Sequence, residues 1–129
     1  TNGGSYFFSV VAHNVVGNSL PKATTVAAKP ATTPGTPTIT AVTRPATTSL
    51  KVTFSAPAST GGSAITGYVV KVYKASDGTW VKDMTGLATA AGATGVTVTA
   101  LTAGTQYKVT VAAINIMGTG TATALSSAV

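Results

Sequence analysis

The sequence lacks most of the side chains on which enzymatic and metal chemistry depend. Its 129 residues include no cysteine, no glutamate and one histidine, and its only acidic side chains are Asp77 and Asp83. Without cysteine there is neither a disulfide framework nor a thiolate metal site, and general acid–base catalysis has almost no candidate groups. We therefore predict no enzymatic activity, no cofactor and no metal site.

Long apolar runs are scarce as well. No stretch approaches the roughly 18 apolar residues that a membrane span requires, and the longest, residues 6–12, is interrupted by Ser9. What is abundant is threonine, with 26 residues, together with valine and alanine. Because small and β-branched side chains favour pleated sheets over helix bundles, the composition predicts an all-β fold and no insertion into a membrane.

The net charge of +6 results from eight basic residues, dispersed along the chain, and two aspartates. A nucleic-acid-binding protein usually gathers such residues into a patch or stripe and carries a recognition motif. The sequence has neither, so we predict no nucleic-acid partner and interpret most of this charge as a solvated surface.

An internal repeat indicates the domain organisation. The segment GSYFFSVVAHNVVG, residues 4–17, matches TQYKVTVAAINIMG, residues 105–118, at a constant offset of 101 positions. This offset is too long for a solenoid repeat and is the size of a whole small β-sandwich. We interpret residues 1–28 as the last two strands of one module and residues 37–129 as the next module complete.

The linker between the two units spans residues 29–36. The surrounding run AKPATTPGTP contains three prolines, which favour extended polyproline conformation. We therefore predict a semi-rigid spacer.

Short alternating segments separated by turn signals every eight to twelve residues follow the linker, a pattern typical of a β-sandwich or barrel. In residues 49–55, for example, apolar and polar side chains alternate, and Asp77-Gly78 is a hairpin signal because both residues tolerate positive φ. The predicted strands are residues 38–42, 49–55, 67–74, 79–85, 96–101, 107–115 and 121–129. The first of them is expected to end at Arg44-Pro45. We predict seven strands and no helix.

Three segments carry a more specific pattern. The run FSAPASTGGSAITGYVVKVY contains an aromatic residue on the second strand, Phe54, a Pro/Gly-rich loop and Tyr68 on the third strand. The second is LTAGTQYKVTVAAIN, which runs from Leu101 through Tyr107, and the third is its copy around Tyr6. Together they resemble the fibronectin type III family, in the form common in bacterial secreted proteins.

The resemblance implies a seven-stranded immunoglobulin-like β-sandwich. It implies that Tyr107 forms a tyrosine corner by hydrogen bonding to the backbone near Leu101. Two positions depart from the family pattern, since Phe54 replaces a usual Trp and Ala103 a frequent Pro, but the fold expectation does not depend on them. The structural residues implied are Tyr107, Tyr6, Phe54, Tyr68 and Leu101.

Several exposed side chains are candidates for contact with a ligand or partner. Trp80 and Tyr73 can stack on sugar rings, and Lys71 and Lys108 lie on the outward face of one predicted sheet, where they form a weak basic strip. The alternative is that Trp80 covers the sheet edge and that the lysines are simply solvated.

The loop tip Ile116-Met117 is a further candidate. It is matched by Val15-Val16 in the earlier copy, and a repeated apolar tip suggests contact with a neighbouring module or subunit. The alternative is that these side chains tuck under the loop. His13 is expected to face solvent, and the two aspartates supply too few oxygens for a calcium shell.

The sequence thus predicts a non-catalytic spacer or assembly module of an extracellular multi-domain protein, whether secreted, on a cell surface or on a virion. Its expected partners are neighbouring modules or adjacent subunits. One alternative is a carbohydrate- or cell-wall-binding module, with polysaccharide as partner. Another is a fibre subunit assembled by strand complementation through residues 1–28, because two strands alone leave an apolar face and their edges open.

Overall fold

The computed structural model describes residues 1–87 and 95–129, and all the regular structure among them is β-strand. In chain order, the strands are β1 (Ser9–Val10), β2 (His13–Asn14), β3 (Gly17–Asn18), β4 (Lys22–Ala23), β5 (Thr38–Ala46), β6 (Ser49–Ser55), β7 (Ile65–Lys74), β8 (Trp80–Leu87), β9 (Gly95–Val98), β10 (Tyr107–Asn115) and β11 (Gly118–Thr119). Within these described ranges, there is no helix of the length and hydropathy needed to cross a membrane.

The longer strands form two antiparallel sheets that face each other. One has the order β5-β6-β9 and the other β11-β10-β7-β8. Period-two alternation turns one side of each strand inward. These inward side chains and Leu101, which follows β9, form one apolar core: Leu50, Val52, Phe54, Tyr68, Val70, Val72, Val98, Leu101, Tyr107, Val109, Val111 and Ala113. The predicted immunoglobulin-like sandwich is confirmed.

The predicted first strand does not end at Arg44-Pro45, and this expectation was wrong. Strand β5 continues to Ala46, and its register against β6 shifts between Thr43 and Ala46. Proline is tolerated at such an irregularity on an edge strand, because no ladder donor is needed there. The Arg44 guanidinium donates hydrogen bonds to the carbonyl oxygens of Thr105 at 2.6 Å and Val129 at 3.0 Å, which ties this edge to the opposite sheet.

The last predicted strand, residues 121–129, is not a regular strand. It follows β10 with a three-residue spacing, since Thr123, Ser126 and Val129 each hydrogen-bond through their backbone to alternate residues of β10. The Val111 amide also donates to Thr123 Oγ1 at 3.1 Å, and the Val109 amide to Ser126 Oγ at 3.0 Å. Side-chain hydroxyls therefore replace some of the carbonyl acceptors of an ordinary ladder.

Residues 1–28 repeat the pairing of β10 with the segment that follows it, β11 and residues 121–129. Strand β1 pairs with β4, β2 pairs with β3, and the Tyr6 hydroxyl donates a hydrogen bond to the carbonyl oxygen of Thr1, five residues upstream. The apolar face is open, however: Val10 is 71% exposed, whereas its counterpart Val111 is fully buried. The division of the chain at residues 28 and 36 remains a prediction.

Candidate functional site

The outer face of the four-stranded sheet brings together the aromatic and basic candidates. Tyr73 on β7 lies directly opposite Trp80 on β8 and opposite Lys108 on β10. Two positions along β7, Lys71 lies opposite Asp83. Residues directly opposite in an antiparallel pair share a face, so these five side chains form one surface, which we call the aromatic–basic face.

Asp83 organises this face. It accepts a hydrogen bond from Trp80 Nε1 at 2.7 Å, and its other carboxylate oxygen lies 3.8 Å from Lys71 Nζ. Trp80 is 58% exposed, so its ring remains open to a ligand while its only polar atom is occupied. Because Asp83 offsets the charge of Lys71, the basic strip is weaker than the lysines alone indicate, and an exposed pair of this kind contributes only about 0–1 kcal/mol.

The other titratable candidates, Asp77 and His13, are hydrogen-bonded within their own turn or hairpin. Asp77 Oδ1 accepts from the Thr79 amide at 2.9 Å in the β7–β8 turn, and the hydrogen bonds from Thr79 hold the pKa of Asp77 below its ordinary value. His13 Nδ1 lies 2.6 Å from Asn18 Oδ1. Over residues 1–87 and 95–129, no three His, Cys, Asp or Glu side chains form a group able to hold a metal ion.

Four of the five structural candidates lie in the sandwich core, whereas Tyr6, in residues 1–28, is only half-buried. The Tyr107 hydroxyl accepts a hydrogen bond from the Thr102 amide at 2.9 Å, beside buried Leu101. The rings of Phe54 and Tyr68 pack with their centroids 4.8 Å apart and an interplanar angle of 55°. Burial raises the pKa of the Tyr68 phenol.

The apolar loop tip projects from the sandwich. Ile116 and Met117 are exposed, as are Val15 and Val16 in the earlier copy, so the alternative that they tuck under the loop was wrong. Asn115 shapes this loop, since its Oδ1 accepts from the Met117 amide at 2.8 Å.

A second surface, which sequence reasoning missed, lies where the linker meets the sandwich. Asn115 Nδ2 donates to the carbonyl oxygen of Thr32 at 2.8 Å and to that of Thr60 at 2.9 Å. The Thr32 amide donates to the Gly61 carbonyl at 2.8 Å, and the Gly35 amide to the Ser59 carbonyl at 2.9 Å. The linker is thus hydrogen-bonded to the loop between β6 and β7. The available sequence signals were the Gly61-Gly62 pair and the repetition of Asn14 as Asn115.

Comparison with known proteins agrees with this architecture. Among solved structures, the chain is similar to domains A168–A170 of titin, at 28% identity and a TM-score of 0.73 over 97% of this chain and 40% of that one. It is similar to the FN5 domain of Drosophila Lar, at 26% identity and a TM-score of 0.57 over 74% of this chain and 94% of that one.

Domains d3-d4 of the extracellular region of rat CD45 share the fold, at 19% identity and a TM-score of 0.67 over 99% of this chain and 65% of that one. The chain spans less than half the length of the titin fragment. A family model described as the fibronectin type III domain matches residues 35–129. The chain therefore belongs to the fibronectin type III domain family.

Proposed function

We propose that this chain is a non-catalytic structural module that holds neighbouring parts of an extracellular multi-domain protein in a set spatial relation. The observation that carries the proposal is the hydrogen bonding of the linker backbone to the sandwich at Thr32 and Gly35. A linker bonded in this way transmits orientation, whereas a free one sets only a maximum distance. The extracellular location rests on the secreted form of the family that the sequence resembles.

The side chains support a role without catalysis. Asp77, Asp83 and His13 are each engaged by a neighbouring residue of their own turn, strand or hairpin. A catalytic acid or base needs a partner positioned for proton transfer to a substrate, and these three groups do not converge on one site.

Order in the linker tests the proposal directly. We expect the Thr32 and Gly35 amides to show backbone order parameters near the value of about 0.85 that is typical of rigid backbone, measured by ¹⁵N relaxation on the full chain. The amides of β7 and β10 provide the rigid reference. Order parameters below about 0.6 at both linker positions, the range of flexible backbone, would show that the linker is free and would overturn the proposal.

A second candidate function is polysaccharide binding at the aromatic–basic face, favoured by the exposed ring of Trp80 beside Tyr73. The test is retention of the full chain on insoluble polysaccharides at low and high salt. We expect Trp80→Ala to abolish retention and Phe7→Ala, at another exposed aromatic residue, to leave it unchanged. Asp83→Asn keeps an acceptor for the indole while removing the charge that offsets Lys71, so it should strengthen retention at low salt. Absence of retention on every polymer would exclude this candidate.

A third candidate, fibre assembly by strand complementation, is favoured by the open apolar face of residues 1–28. It requires another subunit to cover that face. Light scattering on the full chain measures this association, and a monomer over the whole accessible concentration range would exclude it.

A further inference from the structure

Two consecutive glycines lie where the linker and residues 1–4 meet the sandwich. Gly61 and Gly62 have φ angles of +73° and +87°. A Cβ at Gly61 would lie 2.2 Å from the carbonyl oxygen of Thr32, and one at Gly62 would lie 2.4 Å from the amide nitrogen of Gly3. Real Cβ atoms essentially never come so close to another atom. The lack of side chains therefore allows the backbones to approach each other directly.

Comparison with other glycines shows that positive φ does not by itself account for this close approach. Gly78 and Gly104 have φ angles of +72° and +75°, almost the same as Gly61. Nevertheless, apart from the adjoining residues in the chain, no described atom lies within 4 Å of a Cβ built on either of them. Positive φ explains a glycine at all of these turns, but only Gly61 and Gly62 also need the missing volume.

Asn115 shows the same separation of roles. Its Oδ1 shapes the loop tip, as the Oδ1 of Asn14 does in the earlier copy by accepting from the Val16 amide at 2.9 Å. Asn115 is only 3% exposed, however, whereas Asn14 is exposed. The turn therefore requires Oδ1 alone. The Nδ2 of Asn115 contacts the linker through the Thr32 carbonyl.

The first unit contributes a matching surface. The Gly3 amide donates to the carbonyl oxygen of Pro30 at 2.7 Å, which joins the loop preceding Tyr6 to the linker. Asn2 Nδ2 donates to Thr32 Oγ1 at 3.0 Å. The loop before Tyr6 and the linker thus meet the sandwich together.

We propose that Gly61, Gly62 and Asn115 form a binding surface whose partner is the preceding fibronectin type III unit, bound through its loop at Asn2–Gly3 and through the Thr32 carbonyl of the linker. This inference rests on the proposed function and assigns it to three residues. The surface meets backbone atoms of Thr32 and Gly3 at close approach, so positions 61 and 62 require glycine, and the Asn115 side chain adds a hydrogen bond to the Thr32 carbonyl.

Gly61→Ala and Gly78→Ala form a matched pair for the first test. Both place a Cβ on a residue with the same left-handed φ, so both carry a similar backbone strain. Only Gly61→Ala also drives a carbon into the linker carbonyl. We expect hydrogen exchange at the Thr32 amide to accelerate about tenfold or more in Gly61→Ala, as the loss of one or two hydrogen bonds predicts, and the nuclear Overhauser contact between Gly3 and Gly62 to disappear.

In Gly78→Ala, both signals should match the unmodified chain, and amides of β10 should be equally protected in the two variants. Equal effects of the two substitutions on Thr32 would show that backbone strain, not close approach, causes the change, and would overturn the inference.

Asn115→Asp and Asn14→Asp form the second pair. Each retains an acceptor oxygen for the loop tip, but Asn115→Asp replaces the Nδ2 donor by an oxygen that faces the carbonyls of Thr32 and Thr60. We expect about tenfold faster exchange at Thr32 in Asn115→Asp, by the same reasoning, and no change there in Asn14→Asp. Unchanged exchange at Thr32 in Asn115→Asp would overturn the role of Asn115.

The two proposals fail in distinguishable ways. A mobile linker in the unmodified chain contradicts the proposed function. If the linker is rigid and hydrogen exchange at Thr32 is unchanged by Gly61→Ala and Asn115→Asp, only the assignment of the binding surface is contradicted.

Discussion

Phe54→Ala is expected to destabilise the sandwich by about 3–5 kcal/mol, the usual cost of removing a buried aromatic ring. Phe54 is 2% exposed and extends from β6 toward the opposite sheet, where its ring packs against Tyr68. Its loss removes apolar contact area, leaves a cavity between the sheets and ends a ring pairing worth about 0.5–1.5 kcal/mol in its own right.

Urea unfolding followed by the fluorescence of Trp80 measures this loss. Natural domains have total free energies of unfolding of about 5–15 kcal/mol. The urea concentration at the midpoint of unfolding should therefore be much lower in Phe54→Ala than in the unmodified chain. The control is Phe7→Ala, at a ring that is 67% exposed, and it should change stability by less than about 0.5 kcal/mol. A loss below about 1 kcal/mol in Phe54→Ala, well under the usual cost, would contradict the central position of this ring.

Tyr107→Phe is expected to destabilise the protein by about 1–3 kcal/mol, although it removes a single oxygen. The hydroxyl accepts the Thr102 amide, and both groups lie in a part-buried corner beside Leu101. Phenylalanine fills the same volume but leaves that part-buried amide without its acceptor, and a donor that loses its partner where water has little access costs about 1–3 kcal/mol.

The repeat supplies the control for this prediction. Thr1 is the counterpart of Thr102, and the Tyr6 hydroxyl contacts it by donating to its carbonyl oxygen, in an exposed setting where water can replace the lost hydroxyl. Tyr6→Phe should therefore cost less than Tyr107→Phe in the same urea experiment, and hydrogen exchange at Thr102 should accelerate only in the latter. Equal losses would contradict the role of burial at this corner.

The core of the fold was predictable because it rests on local alternation. Strand β10 runs from Tyr107 to Asn115 as predicted. The alternation of apolar residues along it determines both where the strand lies and which of its side chains point into the core. The extent of β5 was not predictable, because whether Pro45 ends a strand depends on an edge position and a register shift that only the neighbouring strand defines. The three-residue spacing at Thr123 and Ser126 was missed for a similar reason: it arises from hydroxyl groups that replace carbonyls across the sheet.

The surfaces depend still more on distant partners. The contact of Trp80 with Asp83 joins positions that normally face opposite sides of a strand, and it occurs where the pairing of β7 with β8 shifts between Val72 and Tyr73. The contact of Asn115 with Thr32 spans 83 positions. Alternation and turn propensity act over a few residues, so neither contact could be read from them.

The geometry of residues 1–4 has a consequence for symmetry. Gly3 meets Gly62, and the counterpart of Gly3 one repeat later is Gly104, with a φ of +75° against +79°. Apart from the adjoining residues in the chain, no described atom lies within 4 Å of the Cβ position of Gly104. On the interpretation of residues 1–28 as the end of a preceding module, the surfaces that meet are opposite ends of the same kind of unit, and the contact is heterologous. Repetition of a heterologous contact generates an open helix unless the rotation happens to close a ring. An array built on this contact would apply one rotation and one translation at every step, and so would have a single handedness and pitch.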